Sequence, residues 1–274
     1  MLQSSNIGAS GGPGGSGGPG GSGGLNARSV LLSVLLGTDP PRLPVALLVR
    51  TTELFGIADG ATRTALSRMV ASGELSVEGG VYRIASQRLL ERQARQSASR
   101  EATTAPWRDG RWIVGIVQPG RRSPKARALL RSELSRARFA ELREGVWTRP
   151  DNLGGAPTIT GDTVRWFSAT PMGDPSELAA TLFDMDGWAD RALELEDRMG
   201  SLIGPLESGD RAALAEGFVL SAAVLRHFQA DPLLPDELLP PTWPGQALRH
   251  HYDRYDAAYR RVLADWFAEH RSGD

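Results

Sequence analysis

The stretch "GIADGATRTALSRMVASGEL", residues 56–75, decides how the rest of the chain is read. Ala65, Leu66, Met69 and Val70 recur at helical spacing and mark one apolar stripe. Asp59 is placed to cap the start and Gly73 to stop the end. The face left over carries Thr62, Arg63, Ser67 and Arg68. Two arginines and two hydroxyls on the free side of a short helix are groups that bond base edges and phosphates.

The flanking sequence supplies a context for that helix. Upstream, Val30, Leu31, Val34 and Leu35 make one helical stripe, ended by Gly37. Val45, Leu48, Val49 and Thr52 make a second, running to Phe55 and Gly56. Downstream come "ELSVE" (74–78), then Gly79-Gly80, then "VYRIA" (81–85). Two short β-type runs joined by two glycines read as a hairpin. Three helices followed by a hairpin is the order of a winged helix-turn-helix, whose second motif helix enters the major groove. On this reading the hairpin, with Tyr82 and Arg83, rests on the adjacent DNA backbone or minor groove. The same pattern also fits a winged helix used as a protein-docking module, with arginines that only solvate its surface.

Residues 1–24 are dominated by Gly, Ser and Pro, with no lysine or preceding strand to make the glycines a phosphate loop. They are expected to be a disordered tail. The winged helix is expected over 25–86 and a short linker helix with polar residues over 87–106. "RWIVGIVQ" (111–118) reads as a strand, and "SPKARALLRSELSRARF" (123–139) as a helix with Ala128, Leu129, Ser132, Leu134 and Phe139 near one side. "GVWTRP" and "TVRWFSAT" read as further strands and "PSELAATLF" as a helix, the beginning of a ferredoxin-like α+β domain over 107–186. From 187 to 274 the pattern is helical, interrupted by the proline-rich "DPLLPDELLPPTWPG" (231–245). The fold class is therefore α+β and multidomain.

The net charge of −1 hides a polarity. Residues 1–150 hold 21 basic and 11 acidic side chains, whereas residues 151–274 hold 10 and 21. The first half suits a polyanion and the second does not. Only Lys125 among the 31 basic residues is a lysine. With no cysteine in the chain, disulfides, zinc fingers and thiol nucleophiles are excluded. No apolar run reaches the length of a membrane span and no signal peptide is evident, so a cytoplasmic protein is expected.

Four segments share a family likeness. "GIADGATRTALSRMVASGEL" followed by "GGVYRIA" resembles the N-terminal domain of the PaaX family, the phenylacetic-acid-catabolism repressors. "PWRDGRWIVGIV" (106–117), "EGVWTRPDNLG" (144–154) and the proline-rich segment resemble later parts of the same family, in order. The resemblance implies a winged helix, a ferredoxin-like middle domain similar to that of Cas2 proteins, and a helical C-terminal domain. It further implies a homodimeric repressor of a catabolic operon, bound to double-stranded operator DNA and released by an aryl-CoA thioester. An aryl ligand needs aromatic walls and cations for its phosphates, for which Trp147, Trp166, Arg143 and Arg165 are candidates.

Enzymatic readings find little support. Metal-dependent nucleases of the Cas2-like fold place an aspartate at the end of the first strand, but here that strand ends without a carboxylate and Asp109 precedes it. "HHYDRYD" (250–256) spaces His250, His251 and Asp253 as ligands could be, yet a charged helix does the same by accident. "DMDG" (184–187) lacks the later acidic positions of a calcium loop. No serine sits in a nucleophile-elbow pattern. Neither a metal nor a cofactor is expected.

Overall fold

The computed structural model describes residues 25–38, 40–157, 159 and 163–271. The glycine-rich segment lies outside the described residues. The chain is a mixture of helices with two small antiparallel sheets.

The N-terminal unit opens with α1 (Ala27–Leu36), capped by the Asn26 side chain, which accepts from the Arg28 amide at 2.9 Å. Strand β1 (Arg42–Pro44) leads into α2 (Val45–Leu54), and α3 (Asp59–Ala71) follows after Gly56 turns the chain at φ +72°. Strands β2 (Leu75–Glu78) and β3 (Val81–Ile84) form the expected hairpin. Gly79 and Gly80 both take positive φ, as a two-residue turn between twisted strands requires. β1 was not foreseen; it pairs with β3 and gives the sheet order β1-β3-β2. Three residues with a terminal proline carry too little alternation to announce a strand.

Helix α4 (Gln87–Glu101) is longer than a linker turn and packs on α8 (Ala213–Ala230). The central unit then runs β4 (Trp112–Val117), α5 (Pro124–Arg136), β5 (Ala140–Arg143), β6 (Val146–Pro150), β7 (Val164–Ala169) and α6 (Pro175–Leu182). Its sheet is antiparallel throughout in the order β5-β6-β4-β7. β5 is a further strand the sequence did not announce. The side of α5 expected to face inward is also corrected: Ala128, Leu129 and Ser132 are exposed, while Leu134 is buried and Leu130 half-buried. Gly115 sits mid-sheet, opposite Trp147 on one neighbour and Trp166 on the other. A Cβ there would lie 2.5 Å from the Trp166 ring, so only glycine fits.

Helix α7 (Met185–Glu207), α8, a short 3-10 turn at Asp236–Leu238 and α9 (Gly245–Arg271) complete the chain. The Asp184 carboxylate caps α7 by accepting from the Gly187 amide at 3.0 Å, a structural duty for the "DMDG" motif. The core does not stop at the end of the N-terminal unit. Leu31, Leu48 and Leu66 belong to one continuous apolar cluster with Leu195, Leu214, Tyr255 and Trp266 of the C-terminal helices. Phe55 meets Phe218 edge-on at 5.7 Å across that junction. The central sheet has separate small clusters on its two faces, one around Trp112 and one around Leu134, Phe139 and Trp147.

Candidate nucleic-acid interface

Helix α3 packs through Leu66 and Met69, leaving Gly60, Ala61, Arg63, Thr64, Ser67, Arg68 and Ala71 exposed along its other side. The helix starts one residue earlier than a cap at Asp59 would give: Ala58 is the N-cap, without a side-chain bond. Asp59 lies in the first turn instead and holds the Arg63 guanidinium at 2.7 Å. Arg68, one turn further on, has no partner among the described residues.

Thr62 requires a correction. It is not on the free face but fully buried, with its hydroxyl 2.6 Å from that of Thr52 and 3.3 Å from the Ala58 carbonyl. Residues 62, 66 and 69 follow the spacing of one helical stripe, so Thr62 faces α2 and cannot reach a ligand in front of α3.

In the hairpin, Arg83 is exposed and ion-paired with Glu78, while Tyr82 is half-buried against the core. The register sets Arg42 of β1 beside Arg83, which adds an exposed cation to the same row. Arg42 escaped the sequence reading because its strand did. The turn is tied to the fold by the Val45 amide, which donates to the Gly80 carbonyl at 2.9 Å. Arg28 of α1 grips Glu74 at the hairpin base, and this hydrogen-bonded pair holds the Glu74 carboxyl below its usual range.

The four residues nominated for an aromatic ligand are not brought together. Trp147 is buried beside Phe139, and Trp166 tilts against the Phe139 ring at 5.0 Å. Arg165, next in the strand to Trp166, points to the opposite sheet face, and Arg143 is exposed on the edge strand. What the structure assembles is a cleft of about 540 Å³ between α5, β5 and the ends of α6 and α8. Phe139, Trp147, Arg136 and Arg138 line it. Arg138 has an unusual φ of +66° and donates to the carbonyls of Phe228 and Gln229 in the last turn of α8, where the helix dipole favours a cation. Burial pushes its pKa down. Sequence offered no signal for this cleft, because its walls come from segments about ninety residues apart.

Two of the groups considered as metal ligands are engaged elsewhere: His251 meets Glu196 at 2.8 Å and Asp253 meets Arg100 at 3.1 Å. Among the described residues no helix is long and apolar enough to cross a membrane.

Comparison with known proteins places these features in a family. Residues 26–89 match the model of the PaaX-like protein, and residues 183–269 match that of the PaaX-like protein C-terminal domain. No curated protein matches. Among solved structures, the chain is similar to the uncharacterized protein Rv0674 from Mycobacterium tuberculosis, with 39% identity and a TM-score of 0.72. That likeness covers 87% of this chain and 98% of the other. With two family models together matching more than half of its length, the chain belongs to the PaaX-like family.

Proposed function

We propose that this protein is a DNA-binding transcriptional regulator, a repressor of a catabolic operon that an acyl-CoA-type effector releases. The observation that carries the reading is the exposed face of α3. Its Arg63, Ser67 and Arg68 stand clear of a helix whose other side is locked into the core by Thr62, Leu66 and Met69. In this reading α1 to α3 with the hairpin act as a winged helix, α3 lies in the major groove, and Arg83 and Arg42 meet phosphates. Tyr82 supports the wing from beneath.

The central unit is assigned to the ferredoxin-like, Cas2-like class on its antiparallel order β5-β6-β4-β7; it departs from that class in that α6 follows the fourth strand, where a β-α-β-β-α-β unit has its second helix between the third and fourth. The cleft beside Phe139 and Trp147 has a volume in the range of small-molecule sites and is the place assigned to the effector. Arg143, Arg165 and Trp166 have no place in it. A homodimer would present two copies of α3 to an inverted-repeat operator, with half-sites one or two helical turns apart.

The test is a binding titration on the intergenic DNA upstream of the gene. Arg68→Ala is expected to weaken operator binding by about 1–3 kcal/mol and to relax preference at one position of each half-site. Arg63→Ala acts in the same direction but first releases Asp59, so its loss should be the smaller of the two. If both variants bind as tightly as the wild type, α3 is not the recognition helix and a protein-docking role takes its place.

A further inference from the structure

Arg28, Arg100, Arg211, Arg249, Arg254 and Arg260 each meet a carboxylate. The stretch from 121 to 136 differs from them in gathering many cations with few acids. It holds Arg121, Arg122, Lys125, Arg127, Arg131 and Arg136 against one acid, Glu133. Among the described residues, only Arg131 of these cations meets a carboxylate, Glu141 on β5. Arg122 and Arg136 donate to the backbone carbonyls of Gln118 at 2.8 Å and Ser132 at 2.9 Å, which leaves their charge uncompensated. Arg121, Lys125 and Arg127 are exposed and have no partner among the described residues.

The packing of α5 explains why so much charge is on offer. The helix rests on the sheet only through Leu134, with Leu130 half-buried beside it, so most of its surface faces solvent. Arg127 and Arg131 lie one turn apart on the same side, and like charges at that spacing destabilise a helix. The helix therefore keeps its cations at a cost to its own stability. No carboxylate of the acidic C-terminal half is paired with them among the described residues.

We propose that the N-terminal end of α5 and the loop leading into it, with Arg121, Arg122, Lys125 and Arg127, is a second contact surface for the phosphate backbone of duplex DNA, separate from α3 and the hairpin. Four cations within residues 121–127 are enough to meet several phosphates of one backbone stretch. Cations on flexible stems carry charge without a base code, so this surface adds affinity and not sequence preference. The inference rests on the DNA-binding reading given above. Duplex DNA is favoured over an acidic protein because the patch belongs to the same net-basic half of the chain as α3.

The full chain and a triple variant, Arg121→Ala with Lys125→Ala and Arg127→Ala, are titrated with a mixed-sequence duplex of about 40 base pairs over a salt series. Each phosphate contact contributes about 0.9 to the slope of log affinity against log salt, so the triple variant should lose about 2–3 units of slope. Its affinity at low salt should fall by at least tenfold, while its melting temperature stays level or rises as the Arg127–Arg131 repulsion goes. Lys125→Glu alone, at an exposed position, should lose one unit or more and guards against a folding defect in the triple variant. If the wild type binds, Arg68→Ala weakens it, and the triple variant keeps full affinity and slope, the second surface is overturned and the regulator reading stands. If the wild type shows no salt-dependent binding to any duplex, both fall.

Discussion

Thr62 and His227 show how much one side chain's surroundings decide. A threonine between two exposed residues reads as facing solvent, yet the Thr52–Thr62 hydroxyl pair fastens α3 to α2 inside the core. Thr62→Val keeps the shape and removes the hydroxyl's contacts with Thr52 and the Ala58 carbonyl, while Thr52 still donates to the Val49 carbonyl at 2.8 Å. The expected cost is about 1 kcal/mol of stability in urea unfolding, with DNA affinity at native conditions unchanged. A loss of DNA affinity without a loss of stability would return Thr62 to the interface. His227 is buried, stacked on Trp188 at 4.2 Å, and its Nε2 has no hydrogen-bond partner among the described residues. Burial lowers its pKa, against the pull of Asp231 and helped by Arg191 and Arg249. Because the folded value lies below the unfolded one, the unfolded chain takes up the proton first. The stabilisation is full above about pH 6.5 and is lost as pH falls through the folded value. The melting temperature should therefore drop as pH falls below about 6.5. His227→Phe, which keeps the stacking ring, should flatten that part of the profile; an unaltered profile would show that His227 does not set it.

At the scale of elements, α4 does more than connect. Its Arg100 reaches α9, meeting Asp253 and Asp256 at 3.1 Å each with its guanidinium over the Tyr252 ring at 4.9 Å. Arg249 of α9 donates back to the Arg100 carbonyl at 3.2 Å and also holds the buried Asp231 at 2.7 Å. Burial and the neighbouring Asp256 push the Tyr252 hydroxyl up to about 12, so it stays protonated and bonds Ser221 at 2.9 Å. Arg100→Ala strips one partner from Asp256 and leaves only Arg260, so a loss of about 1–3 kcal/mol in denaturant unfolding is expected. Asp253→Asn touches the exposed arm of the same cluster and should change stability by less than about 0.5 kcal/mol. Equal effects from the two variants would mean that the clamp on α4 is not where the energy lies. The polar character of α4 and its Arg88, Arg92, Arg95 and Arg100 were visible in sequence, but not its attachment, since the carboxylates it meets stand some 150 residues later.

For the whole molecule, the continuous core binds the candidate DNA-reading unit to the C-terminal helices. Phe55 at the end of α2 is buried and meets Phe218 of α8, so each end of the chain completes the other's packing. The two are expected to unfold together in one transition, which calorimetry and a fluorescence probe should report at the same midpoint. Phe55→Ala opens a cavity at the junction and should cost about 3–5 kcal/mol, lowering that shared midpoint. Two well-separated transitions in the wild type, with only the first sensitive to Phe55→Ala, would contradict a common core.

Local patterns along the chain specify its order of elements: three helical stripes, a diglycine hairpin, a strand–helix–strand centre and a helical end. Those features depend on periodicity and turn chemistry, which neighbours along the chain encode. The sequence likewise sets the charge polarity and the face of α3 that bears Arg63, Ser67 and Arg68. Long-range packing is what turns Thr62 inward, makes β1 and β5 partners of their neighbouring strands, and sets Arg143, Arg165 and Trp166 apart from the cleft at Phe139 and Trp147. The junction at Phe55 and the clamp at Arg100 belong to the same class. Each is a contact between residues far apart in sequence, and its pairing is fixed by packing, which no local pattern carries.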